Sequence, residues 1–176
     1  MIVAGPVNTA VSMADARTAA RINGADQDAE LEICVRALTA EAEHATGRSI
    51  INRTFRVTMD AFGGSIELPV RPVQSVAIKY RDPGGVEQTL DPQDYILDNI
   101  SAPCIIVLAP GKAWPATLAR INSVTVDVVC GYGPDHTTTP AAFKGYILAK
   151  VREYFAPAGT PESPHLVRML DSLKRY

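Results

Sequence analysis

The sequence has few of the residues that build covalent or metal-bound frameworks. Its 176 residues include three cysteines, Cys34, Cys104 and Cys130, and each lies within an apolar pattern. This distribution favours buried thiols in a reducing compartment over a disulfide network or a zinc site. Aromatic residues make up 6% of the chain, and no apolar run approaches the roughly 18–20 residues that a membrane-spanning helix needs. We therefore expect no membrane association.

Motifs of common enzyme families are also missing. The sequence contains no Gly-x-x-x-x-Gly-Lys-Ser/Thr, His-Glu-x-x-His, Gly-x-Ser-x-Gly or Cys-x-x-Cys pattern, and its three histidines show no metal-ligand spacing. One alternative is a small thiol hydrolase in which Cys130 is the nucleophile and His136 the base. Because Cys130 closes an apolar run, a packing role is favoured. We expect no enzyme activity, no metal and no cofactor.

Charge is nearly balanced overall but uneven along the chain. There are 17 Lys and Arg residues against 19 Asp and Glu residues, a net charge of -2, which disfavours a dedicated nucleic-acid clamp. Residues 24–47 contain six acidic residues against Arg36 alone. The acidic positions singled out in this helical pattern are Glu30, Glu32, Glu41 and Glu43. They predict either a solvated face with a Glu32–Arg36 pair or a surface that faces a channel lumen or a neighbouring subunit.

Helical patterns occupy the N-terminal quarter. After a weakly patterned arm at residues 1–11, Ser12 and Asp15 predict a capping box for a helix over 12–22 that ends at Asn23-Gly24. A longer helix is predicted over 26–46 with a stop at Gly47. Its apolar stripe consists of Leu31, Cys34, Val35, Leu38, Ala42 and Ala45.

The middle of the chain has a period of two. Alternating apolar residues at 55–59 and 76–80 indicate half-buried antiparallel strands. Asp82-Pro83-Gly84-Gly85 predicts a turn. Further strands are expected near 95–97, 104–108 and 124–130. Residues 50–132 are therefore predicted to form a β unit inserted between helices.

The C-terminal part returns to helical spacing. Thr139 is predicted to cap a helix over 140–155 with Pro140 in its first position, and the proline-rich residues 156–164 predict an extended tether. A short docking helix is expected over 165–176. The complete pattern predicts an α+β fold with a domain at 12–155. Two N-terminal helices and one long and one short C-terminal helix are expected to pack together, with an antiparallel β unit inserted between them in the sequence.

The last helix carries an apolar stripe that needs a partner. The stripe consists of Leu166, Met169, Leu170 and Leu173, with Tyr176 at its end. A helix of about a dozen residues is marginal alone in water, and burial of such side chains contributes roughly 1.5–3 kcal/mol each. The surface that buries them is either the protein's own domain or, because of the tether, another subunit or partner.

The order of these segments resembles the head-to-tail connector, or adaptor, proteins of tailed bacteriophages, prophages and gene transfer agents. The likeness covers residues 12–176 and depends on the shared order of several motifs. These are Ile22-Asn23-Gly24-Ala25-Asp26-Gln27-Asp28, Ala45-Thr46-Gly47-Arg48, Ile51-Asn52-Arg53-Thr54, Leu68-Pro69-Val70-Arg71-Pro72-Val73-Gln74-Ser75-Val76, Leu90-Asp91-Pro92-Gln93-Asp94-Tyr95, Trp114-Pro115, Gly131-Tyr132-Gly133 and Pro140-Ala141-Ala142-Phe143.

This resemblance implies a structural protein of the virion neck, made in the bacterial host cytoplasm. The implied assembly is a homo-oligomeric ring, typically of twelve copies, that joins the portal protein to the next head-completion, stopper or tail protein. Double-stranded DNA would pass through the ring without specific binding. The resemblance also implies that the C-terminal stripe, Leu166, Met169, Leu170, Leu173 and Tyr176, docks on the portal.

Overall fold

A computed structural model describes residues 1–157, 160, 163 and 165–174. The chain divides into two compact units. A β unit comprises Met1–Gly5 and Arg53–Gly131, and a helical unit comprises Pro6–Asn52 and Tyr132–Tyr176. This content confirms the predicted α+β class.

The β unit contains a five-stranded and a three-stranded antiparallel sheet, with strand orders β1-β2-β8-β4-β5 and β3-β7-β6. Strand β8 is central because it pairs with both β2 and β4, and its side chains alternate between buried and partly buried. Phe55 and Val76 both lie opposite Val128. The strands are β1 Ile2–Ala4, β2 Arg53–Met59, β3 Ile66–Leu68, β4 Val73–Arg81, β5 Glu87–Thr89, β6 Tyr95–Asp98, β7 Cys104–Leu108 and β8 Val124–Cys130.

In its described residues, the helical unit contains three α-helices and a short C-terminal 3₁₀ helix. Helix α1 spans Met13–Ala20, α2 spans Asp28–Thr46, α3 spans Ala141–Tyr154, and the 3₁₀ helix spans Val167–Leu173. Each α-helix contacts the other two, which confirms that the helices from the two ends of the chain pack together. The largest fully buried side chains of this core are Leu31, Ile50, Ile51, Phe143, Tyr146, Ile147 and Leu170.

The ends of the first two helices follow the predicted capping chemistry in part. The backbone N–H of Asp15 donates to Ser12 Oγ at 3.0 Å, and Gly47 closes α2 in the left-handed region at φ 63°. Helix α1, however, ends at Ala20, and Arg21 adopts the left-handed conformation at φ 59°. The predicted end at residue 22 was therefore two residues late, because a non-glycine residue accepts this strained cap when the surrounding backbone bonds hold it.

The start of α3 also differs from the prediction. Pro140, not Thr139, occupies the capping position, and α3 begins at Ala141. Thr139 is buried, and its hydroxyl has no hydrogen-bond partner among the described residues. The fixed φ of proline suits the extended entry into the helix, and Pro140 provides no side-chain cap.

The N-terminal arm is not detached. Ile2–Ala4 pairs with β2 as an edge strand, and the Met1 ammonium donates to the Arg56 carbonyl at 2.9 Å. Ala10 and Val11 are buried in the helical core. Within the described residues, no helix is long and apolar enough to cross a membrane.

Candidate protein-binding surfaces

The C-terminal stripe contacts its own chain. Leu170 is 1% exposed and belongs to the core of the helical unit, while Leu166 and Leu173 pack partly buried against that core. Met169 remains 39% exposed, and Tyr176 lies outside the described residues. The expectation that the whole stripe is free to bind another molecule is therefore wrong for Leu170, which is buried in its own chain.

The 3₁₀ geometry of this segment explains why Leu170 is buried while Met169 is exposed. Side chains three apart lie above one another in a 3₁₀ helix, so Leu170 and Leu173 share one edge while Leu166 and Met169 share another. The predicted α-helical spacing would have placed all four on one face. The Met169 methyl lies above Gly145 of α3, where an added Cβ atom would approach it to 3.1 Å.

Polar contacts hold the same segment at both ends. At its start, the Ser163 N–H donates to Glu153 Oε1 at 2.6 Å, and Lys150 Nζ donates to Glu153 Oε2 at 3.0 Å. These bonds, the first above all, lower the pKa of Glu153. At its end, Arg48 Nε donates to the Leu173 carbonyl at 3.1 Å. The segment is thus fixed to α3 and to Arg48, the second residue after α2.

The four acidic residues of α2 do not form one outward surface. Glu41 Oε1 accepts a 2.6 Å hydrogen bond from the Tyr146 hydroxyl, and Glu43 Oε1 accepts one of 2.7 Å from the Ile50 N–H. Glu32 pairs with Arg36 at 2.8 Å, which confirms the predicted i,i+4 pair. Glu30 is exposed. Three of the four carboxylates therefore bind groups of their own chain.

From Ala29 to Ala40 the outermost line of α2 is apolar instead, and the exposed His44 continues it towards the end of the helix. Ala29, Ile33, Ala37 and Ala40 are exposed and share the face opposite the buried stripe, since their spacing of three and four residues follows the helical period. We call these four residues the α2 ridge. Ile33 is 70% exposed in the middle of a 19-residue helix. The sequence analysis missed this feature because one isoleucine among alanines produces little periodic signal.

A groove lies between α1 and α3, which we call the α1–α3 groove. Its volume is about 290 Å³, and its lining consists of Asp15, Thr18, Ala19, Leu148, Ala149 and Arg152. The floor is made by alanines and a leucine, and the charged residues stand at the rim. No α2 residue is among the described lining residues, so the groove opens on the side of the helices away from α2.

The candidate catalytic thiol is buried. Cys130 is fully buried at the end of β8, and its Sγ donates to the Arg53 carbonyl at 3.8 Å. All three cysteines lie in the described part of the chain and are buried thiols without a disulfide. Among the described residues, no group of three or more His, Cys, Asp or Glu side chains is placed to hold a metal ion. This burial supports a packing role for Cys130, because a nucleophile must be reached by substrate.

Comparisons with known proteins give matches of structure alone. No family model matches the sequence, and no curated protein matches it. A chain in a structure of the virion of a native gene transfer agent (GTA) particle is 23% identical, with a TM-score of 0.77 over 100% of this chain and 95% of that one.

Two further matches come from structures of the GTA neck. One, in the neck of an empty particle computed with C6 symmetry, is 21% identical with a TM-score of 0.77 and covers 100% of this chain and 95% of that one. The other, in the neck of a native particle computed with C12 symmetry, is 24% identical with a TM-score of 0.68 and covers 99% and 96%. This chain therefore has the fold of GTA neck components, in agreement with its resemblance to the head-to-tail connector family.

Proposed function

We propose that this protein is a structural component of the neck of a phage-like particle. In this proposal, copies of the chain form a ring that joins the portal to the next head-completion or tail protein and leaves a channel for double-stranded DNA. The observation that supports it most is the match of the whole chain to GTA neck components at a TM-score of 0.77. Because similarity of fold alone does not define function, the assembly itself is what must be tested.

The ring is the part of the proposal with the broadest support. The matched GTA necks were computed with C6 and C12 symmetry, and we propose twelve copies for this chain. A ring requires two different surfaces on each subunit that contact each other head to tail. The α2 ridge and the α1–α3 groove are two such surfaces within one compact unit.

The proposed channel does not require DNA binding. A net charge of -2 provides no general attraction for phosphate, so a duplex would slide instead of being held. The acidic helix α2 could face either the channel lumen or a neighbouring subunit, and we favour the subunit. Glu41 and Glu43 bind their own chain, and the α2 ridge is apolar, with Ile33 70% exposed.

The C-terminal 3₁₀ helix is our proposed contact with the portal. Met169 offers its exposed apolar side chain, and Leu173 lies partly buried beside it. Leu170 holds the helix on its own core and would not be available unless the segment left that core. The portal surface that accepts Met169 should therefore be apolar.

A thiol hydrolase remains the competing hypothesis, and the described geometry disfavours it. Cys130 has no exposed surface. A Cys130→Ala variant should therefore assemble like the wild type, with only a packing cost.

Electron microscopy of the purified full-length chain, alone and mixed with the portal protein of its own particle, tests the proposal. We expect annular particles with a central channel, either alone or seated on the portal. A chain that stays monomeric and leaves the portal undecorated would refute the neck function. Met169→Asp should weaken portal binding while Cys130→Ala should not, and equal binding by both would remove the proposed role of the 3₁₀ helix.

A further inference from the structure

We propose that the α2 ridge of one copy seats in the α1–α3 groove of the next copy, so that these two surfaces form the contact between neighbouring subunits. This inference rests on the proposed ring function and names the surfaces that would close the ring. Its partner is a second copy of this chain.

The first observation is the shape of the α2 ridge. Ile33 projects from a line of alanines and is 70% exposed. Small neighbours at positions 29, 37 and 40 let another backbone approach closely, and a single large aliphatic side chain then acts as an anchor. The line from Ala29 to Ala40 is about 16 Å long at 1.5 Å per residue.

The second observation is a recess of matching chemistry. The floor of the α1–α3 groove is formed by Ala19, Leu148 and Ala149, and its volume of about 290 Å³ exceeds that of an aliphatic side chain. Helix α1, with eight residues, is about 12 Å long, so the groove accepts roughly two turns of a neighbouring helix. An isoleucine seated there would lose most of its contact with water.

The third observation is their placement on opposite sides of the same helices. The α2 ridge faces away from α1 and α3, which cover the buried stripe of α2, and the groove opens away from α2. A contact between the two surfaces of different copies is therefore head to tail. Repetition of such a contact closes into a ring when its rotation permits.

Charge supports a second copy as the occupant. Glu30 and Glu41 flank the ridge on one side and Arg36 flanks it on the other, as the helical period of α2 dictates. The groove has Arg152 on its α3 rim and Asp15 on its α1 rim. One orientation of the ridge places Glu30 and Glu41 beside Arg152, while Arg36, already paired with Glu32, lies towards Asp15. The acidic flank of the ridge thus meets the basic rim of the groove, which favours this partner over others.

Disulfide trapping between two variants, each with one added surface cysteine, tests the contact. Ile33→Cys and Thr18→Cys are mixed in equal amounts under mild oxidation, with one variant tagged. Both positions are exposed, and the native cysteines are buried. We expect a tagged–untagged heterodimer about tenfold above the control mixture, since the contact raises the local concentration of the two thiols. The control replaces Ile33→Cys with Ile121→Cys, because Ile121 is also 70% exposed.

The outcome separates this inference from the ring itself. If electron microscopy shows rings but Ile33→Cys crosslinks no better than Ile121→Cys, the ridge–groove contact is wrong and the ring function stands. If neither rings nor crosslinks form, both fail. As a second measurement, Ile33→Asp should weaken self-association about tenfold or more in sedimentation velocity, whereas Ile121→Asp should not. Circular dichroism melts verify that both variants are folded.

Discussion

The hydroxyl of Tyr146 donates a 2.6 Å hydrogen bond to Glu41 Oε1 and thereby joins α3 to α2. Tyr146 is 2% exposed, and this burial, followed by the bond to Glu41, raises its pKa. The contact explains why a charge count of α2 overestimates its free acidic surface. One of its carboxylates has a structural task.

Removal of this hydroxyl should destabilise the helical unit. We expect Tyr146→Phe to lower the free energy of unfolding by about 1 kcal/mol, because the variant lacks the hydrogen bond to Glu41. The cost stays small because Glu41 is exposed, so that water can solvate its carboxylate. Urea denaturation followed by circular dichroism measures the change. Tyr154→Phe is the matched control, since Tyr154 lies on the same helix but is 62% exposed, and an equal loss in both variants would contradict a specific role for the bond.

Several features of the fold could be predicted from local pattern alone. The alternation at residues 55–59 and the apolar run at 124–130 predicted two strands, and the structure pairs them with each other from Arg53 to Met59. Gly47 predicted the end of α2. These signals extend over several residues or depend on one residue with a special conformation, so they need no knowledge of distant contacts.

Other features depend on partners far away in the sequence. The three-residue strands β1, β3 and β5 are too short for an alternation to be recognised, and Ile2–Ala4 forms a strand because β2 offers it an edge. The bond between Glu41 and Tyr146 spans 105 residues. The α2 ridge was recognised from the burial pattern of the structure, which shows that Ile33 is exposed.

The core position of Leu170 gives a second prediction. Leu170→Ala should lower the free energy of unfolding by about 2–4 kcal/mol, because it leaves a cavity beneath the 3₁₀ helix. Met169→Ala, on the neighbouring residue, should cost less than about 1 kcal/mol, since Met169 is 39% exposed and surface substitutions change stability little. Thermal and urea unfolding of both variants compare the two costs.

The Met169→Ala and Leu170→Ala variants also separate an effect on stability from an effect on portal binding. Under the proposed function, Met169→Ala should weaken portal binding at nearly unchanged stability. A Leu170→Ala variant as stable as the wild type would mean that the 3₁₀ helix does not occupy its own core in solution.

Gly133 gives a third prediction, from the turn before α3. A Cβ at this position would come closer than 3.0 Å to the side chain of Thr138, whereas a Cβ at Gly64 would meet nothing within 4 Å. We therefore expect Gly133→Ala to destabilise the protein by about 1–3 kcal/mol through overpacking. Gly64→Ala should be neutral or slightly stabilising. Equal melting temperatures for the two variants would show that the turn relaxes freely around the added methyl group.

The fourth prediction concerns pH and the ion pair between β2 and β8. Arg56 lies directly opposite Asp127, and its guanidinium donates to both carboxylate oxygens, at 2.7 and 2.8 Å. These hydrogen bonds, aided by the positive charges of Arg56 and Lys79, lower the pKa of Asp127. The folded state therefore holds the ionised form more strongly than the unfolded state does.

The stabilisation from Asp127 should accordingly be present above about pH 4, the usual pKa of an aspartate, and should be lost as the pH falls through the lower value of the folded protein. Because the pair is partly exposed, Asp127→Asn should cost about 0.5–1 kcal/mol near neutral pH and almost nothing in strong acid. Double-mutant cycles with Arg56→Gln at both pH values measure the coupling directly. A coupling energy that is the same in acid as at neutral pH would show that the pair does not stabilise the sheet through its charges.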